Sequence, residues 1–152
     1  MDQITGGYWA GSYTASMDGT SEGIGRLRQR ESDGSLEYLG LAARTSCPSF
    51  LVGGVAEGVV YATDEANARV EAFRRDGDSL VGLGGQPTSG ELPCHISATA
   101  EWLYVSNYFS GTVDVFPLGG DGTIGPIHQT LAGSGSGTNP VQDGPHAQSP
   151  LV

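Results

Sequence analysis

Short runs in which apolar and polar residues alternate recur along the chain, each bounded by Gly, Pro, Asp or Ser. The clearest are Val59-Val60-Tyr61-Ala62-Thr63, Val70-Glu71-Ala72-Phe73, Trp102-Leu103-Tyr104-Val105-Ser106 and Thr112-Val113-Asp114-Val115-Phe116. A two-residue period is that of a strand, whose side chains leave alternate faces of the pleat. No window of a dozen residues keeps an i, i+3, i+4, i+7 apolar stripe without a Gly or Pro. The pattern therefore predicts an all-β fold with no helix.

The runs repeat. Pro48-Ser49-Phe50-Leu51 returns as Pro93-Cys94-His95-Ile96, Tyr61-Ala62-Thr63-Asp64 as Tyr104-Val105-Ser106-Asn107, and Phe73 as Phe116, at steps of 45, 43 and 43 residues. The turn Asp33-Gly34 recurs as Asp76-Gly77 and Asp121-Gly122, where glycine supplies the positive φ that tight hairpins require. A period of ~40–50 residues holding four short strands is that of a β-propeller blade. Each unit reads as an inner, Pro-led strand A, a Tyr strand B, a Phe strand C and a strand D after Asp-Gly.

On this reading the fold is a β-propeller of four-stranded antiparallel blades, with about three of an expected seven present. Residues 1–47 make blade 1 without its strand A, starting on strand B around Tyr8 to Thr14. Residues 48–92 make blade 2 and residues 93–132 blade 3. A Gly/Ser-rich loop from Gly133 to Asn139 then leads to the start of blade 4 at Pro145-His146, within residues 133–152. Seven blades of this period amount to roughly 315 residues, so the 152 residues are expected to be an N-terminal portion. Such a piece leaves an unpaired strand edge and open blade faces, which favour self-association, and it is expected to lack activity by itself.

Composition narrows the chemistry. All seven basic residues are Arg, and without a lysine the phosphate-cradling Walker loop, the kinase ATP lysine and Schiff-base catalysis are excluded. A formal net charge of −10 opposes nucleic-acid binding, which needs clustered Lys/Arg. The 25 glycines suit a turn-rich globular chain. No apolar stretch approaches the ~18 residues of a membrane span, and the N-terminus has no signal-peptide pattern. No membrane partner and a cytoplasmic location are expected. Cys47 and Cys94 are too few for a disulfide framework and read as buried free thiols.

In a propeller the loops entering strand A and those joining B to C share one face, so the start of A and the end of B converge over the channel mouth. His95 and His146 start A strands there, and Glu65, Asn107 and Tyr108 follow B strands. His95 or His146 could serve as general base on water, or be an ordinary turn or channel residue. In register His146 aligns with Cys94, one place before His95, so the two histidines should point differently. Glu65 could orient a water or hold a sugar hydroxyl, or be an exposed hairpin carboxylate. Asn107 and Tyr108 could bind hydroxyls or simply close the B–C hairpin. Arg69, at the start of a strand C, could meet an anionic substrate or be a surface arginine, and His128 reads as a solvated strand residue. No metal-spaced histidine pair is present.

Taken together, Gly11-Ser12-Tyr13-Thr14, Pro48-Ser49-Phe50-Leu51, Tyr61-Ala62-Thr63-Asp64-Glu65, Gly90-Glu91-Leu92-Pro93-Cys94-His95-Ile96-Ser97, Val105-Ser106-Asn107-Tyr108-Phe109-Ser110-Gly111 and Gly144-Pro145-His146-Ala147 resemble the lactonase family of seven-bladed propellers. That family is of the 6-phosphogluconolactonase type and is related to the fungal cis,cis-muconate lactonizing enzyme. The resemblance spans nearly the whole chain. It implies hydrolysis of a sugar-acid lactone such as 6-phosphogluconolactone, in carbohydrate metabolism of the pentose phosphate kind, with no cofactor and no obligatory metal. The implied site residues are His95, His146 and Glu65 for catalysis and Asn107, Tyr108 and Arg69 for substrate. The chain departs from the family pattern at Val141-Gln142, where the family commonly has Arg-Gln, and at Gln148, where it commonly has a histidine that could act as a base. A non-catalytic propeller scaffold is the alternative from another class, and a metal-dependent sugar lactonase of similar shape is a third.

Overall fold

The computed structural model describes residues 7–152, and what the sequence suggests for residues 1–6 lies outside the described residues. Three antiparallel sheets follow one another in chain order. The first holds β1 (Gly7–Ala10), β2 (Gly23–Gln29) and β3 (Leu36–Arg44). The second holds β4 (Leu51–Gly53), β5 (Val59–Asp64), β6 (Arg69–Asp76) and β7 (Ser79–Pro87), and the third β8 (Pro93–Ala98), β9 (Trp102–Asn107), β10 (Thr112–Pro117) and β11 (Gln129–Ala132). Within each sheet every strand pairs with the next, as four-stranded propeller blades do. The expected all-β, partial-propeller architecture is what the chain forms.

The sheets stack face to face, and the two-residue period divides the central one between two cores. From β5, Val59 and Tyr61 face the third sheet and pack with Ile96, Leu103, Val105, Phe116 and Ile124. Val60 and Ala62 face the first sheet and join Ile24, Ala42, Phe73 and Leu80. All six residues of β5 are consequently buried. A strand covered on both faces carries apolar residues at consecutive positions, which explains the Val59-Val60 pair within an otherwise alternating run. Gly34, Gly77 and Gly122 take φ of 73°, 59° and 84°, as the Asp-Gly turns require.

Four local features differ from the sequence expectation. Two single 3-10 turns occur, Ala15–Met17 and Glu65–Asn67, each too short to leave an apolar stripe in the sequence. β1 ends at Ala10 rather than Thr14, because the Thr14 carbonyl accepts hydrogen bonds from the Met17 and Gly19 N–H groups (2.9 and 2.8 Å) and turns the chain out of the sheet. In the third sheet the Asp121-Gly122 turn closes only a Leu118–Ile124 bridge. Pro126 has no N–H to give to a ladder, and pairing with β10 resumes where His128 donates to the Val115 carbonyl. His128 itself precedes β11 and is exposed. Finally, residues 145–150 form no strand ladder. They lie along β8, where Cys94 Sγ donates to the carbonyls of Ala147 (3.6 Å) and Gln148 (3.7 Å) and Ser97 Oγ donates to the Pro150 carbonyl.

Candidate functional site

The turns that follow β5 and β9 and the segments that enter β4 and β8 lie together at one end of the sheets. Asp64 ends β5 and caps the 3-10 turn, its carboxylate accepting from the Asn67 side chain (3.1 and 2.9 Å) and main chain (3.3 Å). This turn presents Glu65. The residue is only 8% exposed and accepts a hydrogen bond from the Tyr13 hydroxyl at 3.4 Å. It is therefore not the exposed hairpin carboxylate that the sequence allowed.

Burial, and then the adjacent Glu65 carboxylate, raise the Tyr13 hydroxyl above its ordinary pKa. The same two causes, in the same order, raise the Cys94 thiol. Burial also raises Cys47. Both cysteines are free, and since the thiolate is the reactive form, neither is poised as a nucleophile.

Next to Cys94 lies the turn after β9. Tyr108 donates its N–H to the Leu92 carbonyl at 2.9 Å, and its ring stacks on His146 with centroids 4.7 Å apart and 18° between the planes. His146 Nδ1 lies 3.1 Å from the Tyr108 carbonyl oxygen. A carbonyl only accepts, so Nδ1 carries the proton. In the neutral ring Nε2 is then the unprotonated nitrogen, with the Asp143 carboxylate 3.8 Å away. The pair forms one wall of an open cleft of about 560 Å³, whose other lining includes Ser134, Ser136, Gln142 and Gln148.

His95 has different neighbours. Its ring lies against Phe50 at 4.3 Å, Nε2 is 3.3 Å from the Ser149 hydroxyl, and Nδ1 is buried without a partner. Burial lowers its pKa, which keeps it neutral at neutral pH. Asn107 is fully buried and serves the fold. Its amide donates to Asp114 Oδ2 (2.8 Å) and Thr112 Oγ1 (3.0 Å), so hydroxyl binding is not its use here. Arg69 lines a second cleft of about 520 Å³ between the first two sheets, with Arg44, Thr45, Asp64 and Glu71, and is not among the residues lining the cleft at His146.

The structure thus brings Tyr108 and His146 into contact, sets Glu65 near Cys94 beside them, turns His95 towards Phe50 and Ser149, and places Arg69 in the second cleft. Sequence reasoning did not single out Tyr13, Asp114 or Asp143 as site residues. Asp114 did leave a signal, an acidic residue in the same place of the repeat as Glu71, 43 residues earlier. Among the described residues no three His, Cys, Asp or Glu side chains converge as a metal site, and no helix is long and apolar enough to cross a membrane.

Comparison with known proteins gives the same assignment by three routes. The model of the lactonase, seven-bladed β-propeller family matches residues 7–149. A 6-phosphogluconolactonase of Bacillus subtilis is 31% identical over 144 residues, covering 91% of this chain and 40% of its own length. A crystal structure from Bacteroides fragilis, provisionally named a 6-phosphogluconolactonase, superimposes with a TM-score of 0.82 at 30% identity over 92% of this chain and 40% of that one. The periplasmic gluconolactonase of Pseudomonas aeruginosa superimposes at 0.77 with 26% identity, covering 87% and 40%. The chain spans about 40% of the length of these relatives. From its sheets and from the match across them, it belongs to the lactonase family of seven-bladed β-propellers.

Proposed function

We propose that this chain supplies one wall of a lactonase site, with His146 as the general base in hydrolysis of a sugar-acid lactone of the 6-phosphogluconolactone or gluconolactone kind. The observation that carries the proposal is the contact between His146 Nδ1 and the Tyr108 carbonyl, which leaves Nε2 as the basic nitrogen in a ring held flat on Tyr108. Nε2 takes a proton from water while the water oxygen bonds to the lactone carbonyl carbon. The tetrahedral oxyanion collapses, the ring C–O bond breaks, and the imidazolium returns its proton to the departing alkoxide. The Asp143 carboxylate stands 3.8 Å from Nε2. General-base assistance of this kind is worth about 10²–10⁴-fold.

The remaining candidates take supporting roles. Tyr108 offers its ring face and hydroxyl to the sugar. Glu65, tied to Tyr13, accepts from a substrate hydroxyl, and His95, neutral and half-buried, contributes a polar edge beside Ser149. Arg69, in the other cleft, takes no part in the chemistry. Residues 76–152 contain no arginine or lysine, so a cation for the oxyanion or for a substrate phosphate has to come from elsewhere in a complete ring. We accordingly propose that the three sheets are blades 1 to 3 of the family's ring, and that the 152 residues alone do not turn over substrate. The test is loss of 6-phosphogluconolactone and gluconolactone above their spontaneous rates. Saturable hydrolysis by the 152-residue chain alone would overturn the need for further blades, and a base other than His146 would be indicated if H146N left an active ring unchanged.

A further inference from the structure

Beneath the Tyr108 turn lies a carboxylate that the proposed chemistry does not use. Asp114, in β10, is fully buried. Its Oδ1 accepts from the hydroxyls of Ser89 and Thr130 (2.6 Å each), and its Oδ2 accepts from the Ser89 main-chain N–H (2.7 Å) and the Asn107 amide (2.8 Å). Four donors from three segments meet on this one side chain. Two of the segments lead straight into the site. Ser89 begins the linker through Gly90, Glu91 and Leu92 to Cys94 and His95, and Asn107 immediately precedes Tyr108.

The linker and the turn are laced together above this point. Tyr108 and Phe109 donate their N–H groups to the Leu92 and Glu91 carbonyls, at 2.9 and 3.3 Å, and the Glu91 N–H donates to the Ser110 hydroxyl at 2.8 Å. Asn107 holds its orientation at a cost, since its Oδ1 is buried with no partner and an unmet buried acceptor is destabilising. The amide keeps that orientation because rotating it would turn Oδ1 towards the Asp114 carboxylate, an acceptor facing an acceptor.

We propose that Asp114 is a positioning residue: through Asn107 it fixes the turn whose Tyr108 carbonyl selects the Nδ1–H tautomer of His146. Its consequence for catalysis rests on the reading of His146 as the base, but the tautomer is measurable without turnover.

The test is the ring-nitrogen NMR of the three histidines in the 152-residue chain. The wild type gives Nδ1–H at His146. Asp114→Ala, which removes the common acceptor, inverts the dominant His146 tautomer to Nε2–H. Asp114→Asn preserves the wild-type tautomer, because its amide oxygen can face the two N–H donors while its NH₂ group faces the two hydroxyls, which can turn to accept. If Asp114→Ala does not fold, Asn107→Ser supplies the reading. It removes the amide's bonds to Asp114 and Thr112, leaves Asp114 bonded to Ser89 and Thr130, and inverts the tautomer in the same way. The proposal is overturned by an Nε2–H tautomer in the wild type, by an unchanged Nδ1–H tautomer in folded Asn107→Ser or Asp114→Ala, or by changes at His95 and His128 as large as at His146. Absence of lactone hydrolysis would sink the catalytic reading and leave this one standing.

Discussion

Glu71 and Asp114, 43 residues apart, hold equivalent places in consecutive sheets: each sits in the third strand of its sheet and accepts a hydrogen bond from a hydroxyl on the connection into that sheet. Thr45 donates to Glu71, and Ser89 to Asp114 at 2.6 Å. The repeat therefore conserves a clasp as well as the strands, an acid that pins the incoming linker to its own blade. The two clasps are not equally buried, Glu71 being half exposed to the cleft between the first sheets and Asp114 closed off.

That difference sets their energies. Asp114→Ala removes the acceptor of the buried Asn107 amide and opens a buried gap under it, at about 1–3 kcal/mol for a buried group left unmet. Urea unfolding should show a loss of about 2 kcal/mol or more for Asp114→Ala and about 1 kcal/mol for Glu71→Ala, where water can replace the carboxylate. Equal losses would contradict the clasp's dependence on burial.

Gly111 tests how the last segment is held. It sits at φ 64°, and a Cβ there would stand 2.3 Å from the Pro145 carbonyl oxygen. Gly111→Ala is expected to cost about 2 kcal/mol or more, combining about 1 kcal/mol for the left-handed backbone with the clash, and to release His146 from Tyr108. Loss of the ring-current shift on His146 is the readout. Gly34→Ala, at φ 73° with room for the methyl group, should cost only the backbone part and leave the His146 signals in place.

His95 predicts an acid response. Burial lowers its pKa in the folded chain, so the unfolded chain binds more protons over the range between that value and the ordinary histidine value. Stability then rises with pH across the range and falls on acidification. In thermal melts from neutral to mildly acidic pH, His95→Asn should lose less stability than the wild type. Parallel losses would show that His95 is not the group responsible.

The strands were legible in the sequence because burial on one face or two leaves a local pattern, and Tyr61 with Tyr104 or Phe73 with Phe116 repeats it at a fixed step. The site was less legible. For Glu65 the sequence leaves open a site carboxylate or an exposed one until Tyr13, 52 residues earlier, is folded over it. Asn107 reads as either a binding residue at the mouth of the ring or a closer of the B–C hairpin, and Asp114 draws its amide inward. The pairing of Tyr108 with His146, residues 38 apart, depends on a loop that has no periodicity. Contacts between sheets are set by the stacking of blades, which a two-residue period does not encode.

The most direct test joins residues 1–152 to the part of the Bacillus subtilis relative that lies beyond the matched region and compares lactone hydrolysis by this ring, by its His146→Asn form and by the 152-residue chain alone. The account predicts saturable turnover by the ring, a fall in kcat of about 10²–10⁴-fold on His146→Asn with KM little changed, and no turnover above the spontaneous rate by the short chain. An unchanged kcat in the His146→Asn ring would contradict it.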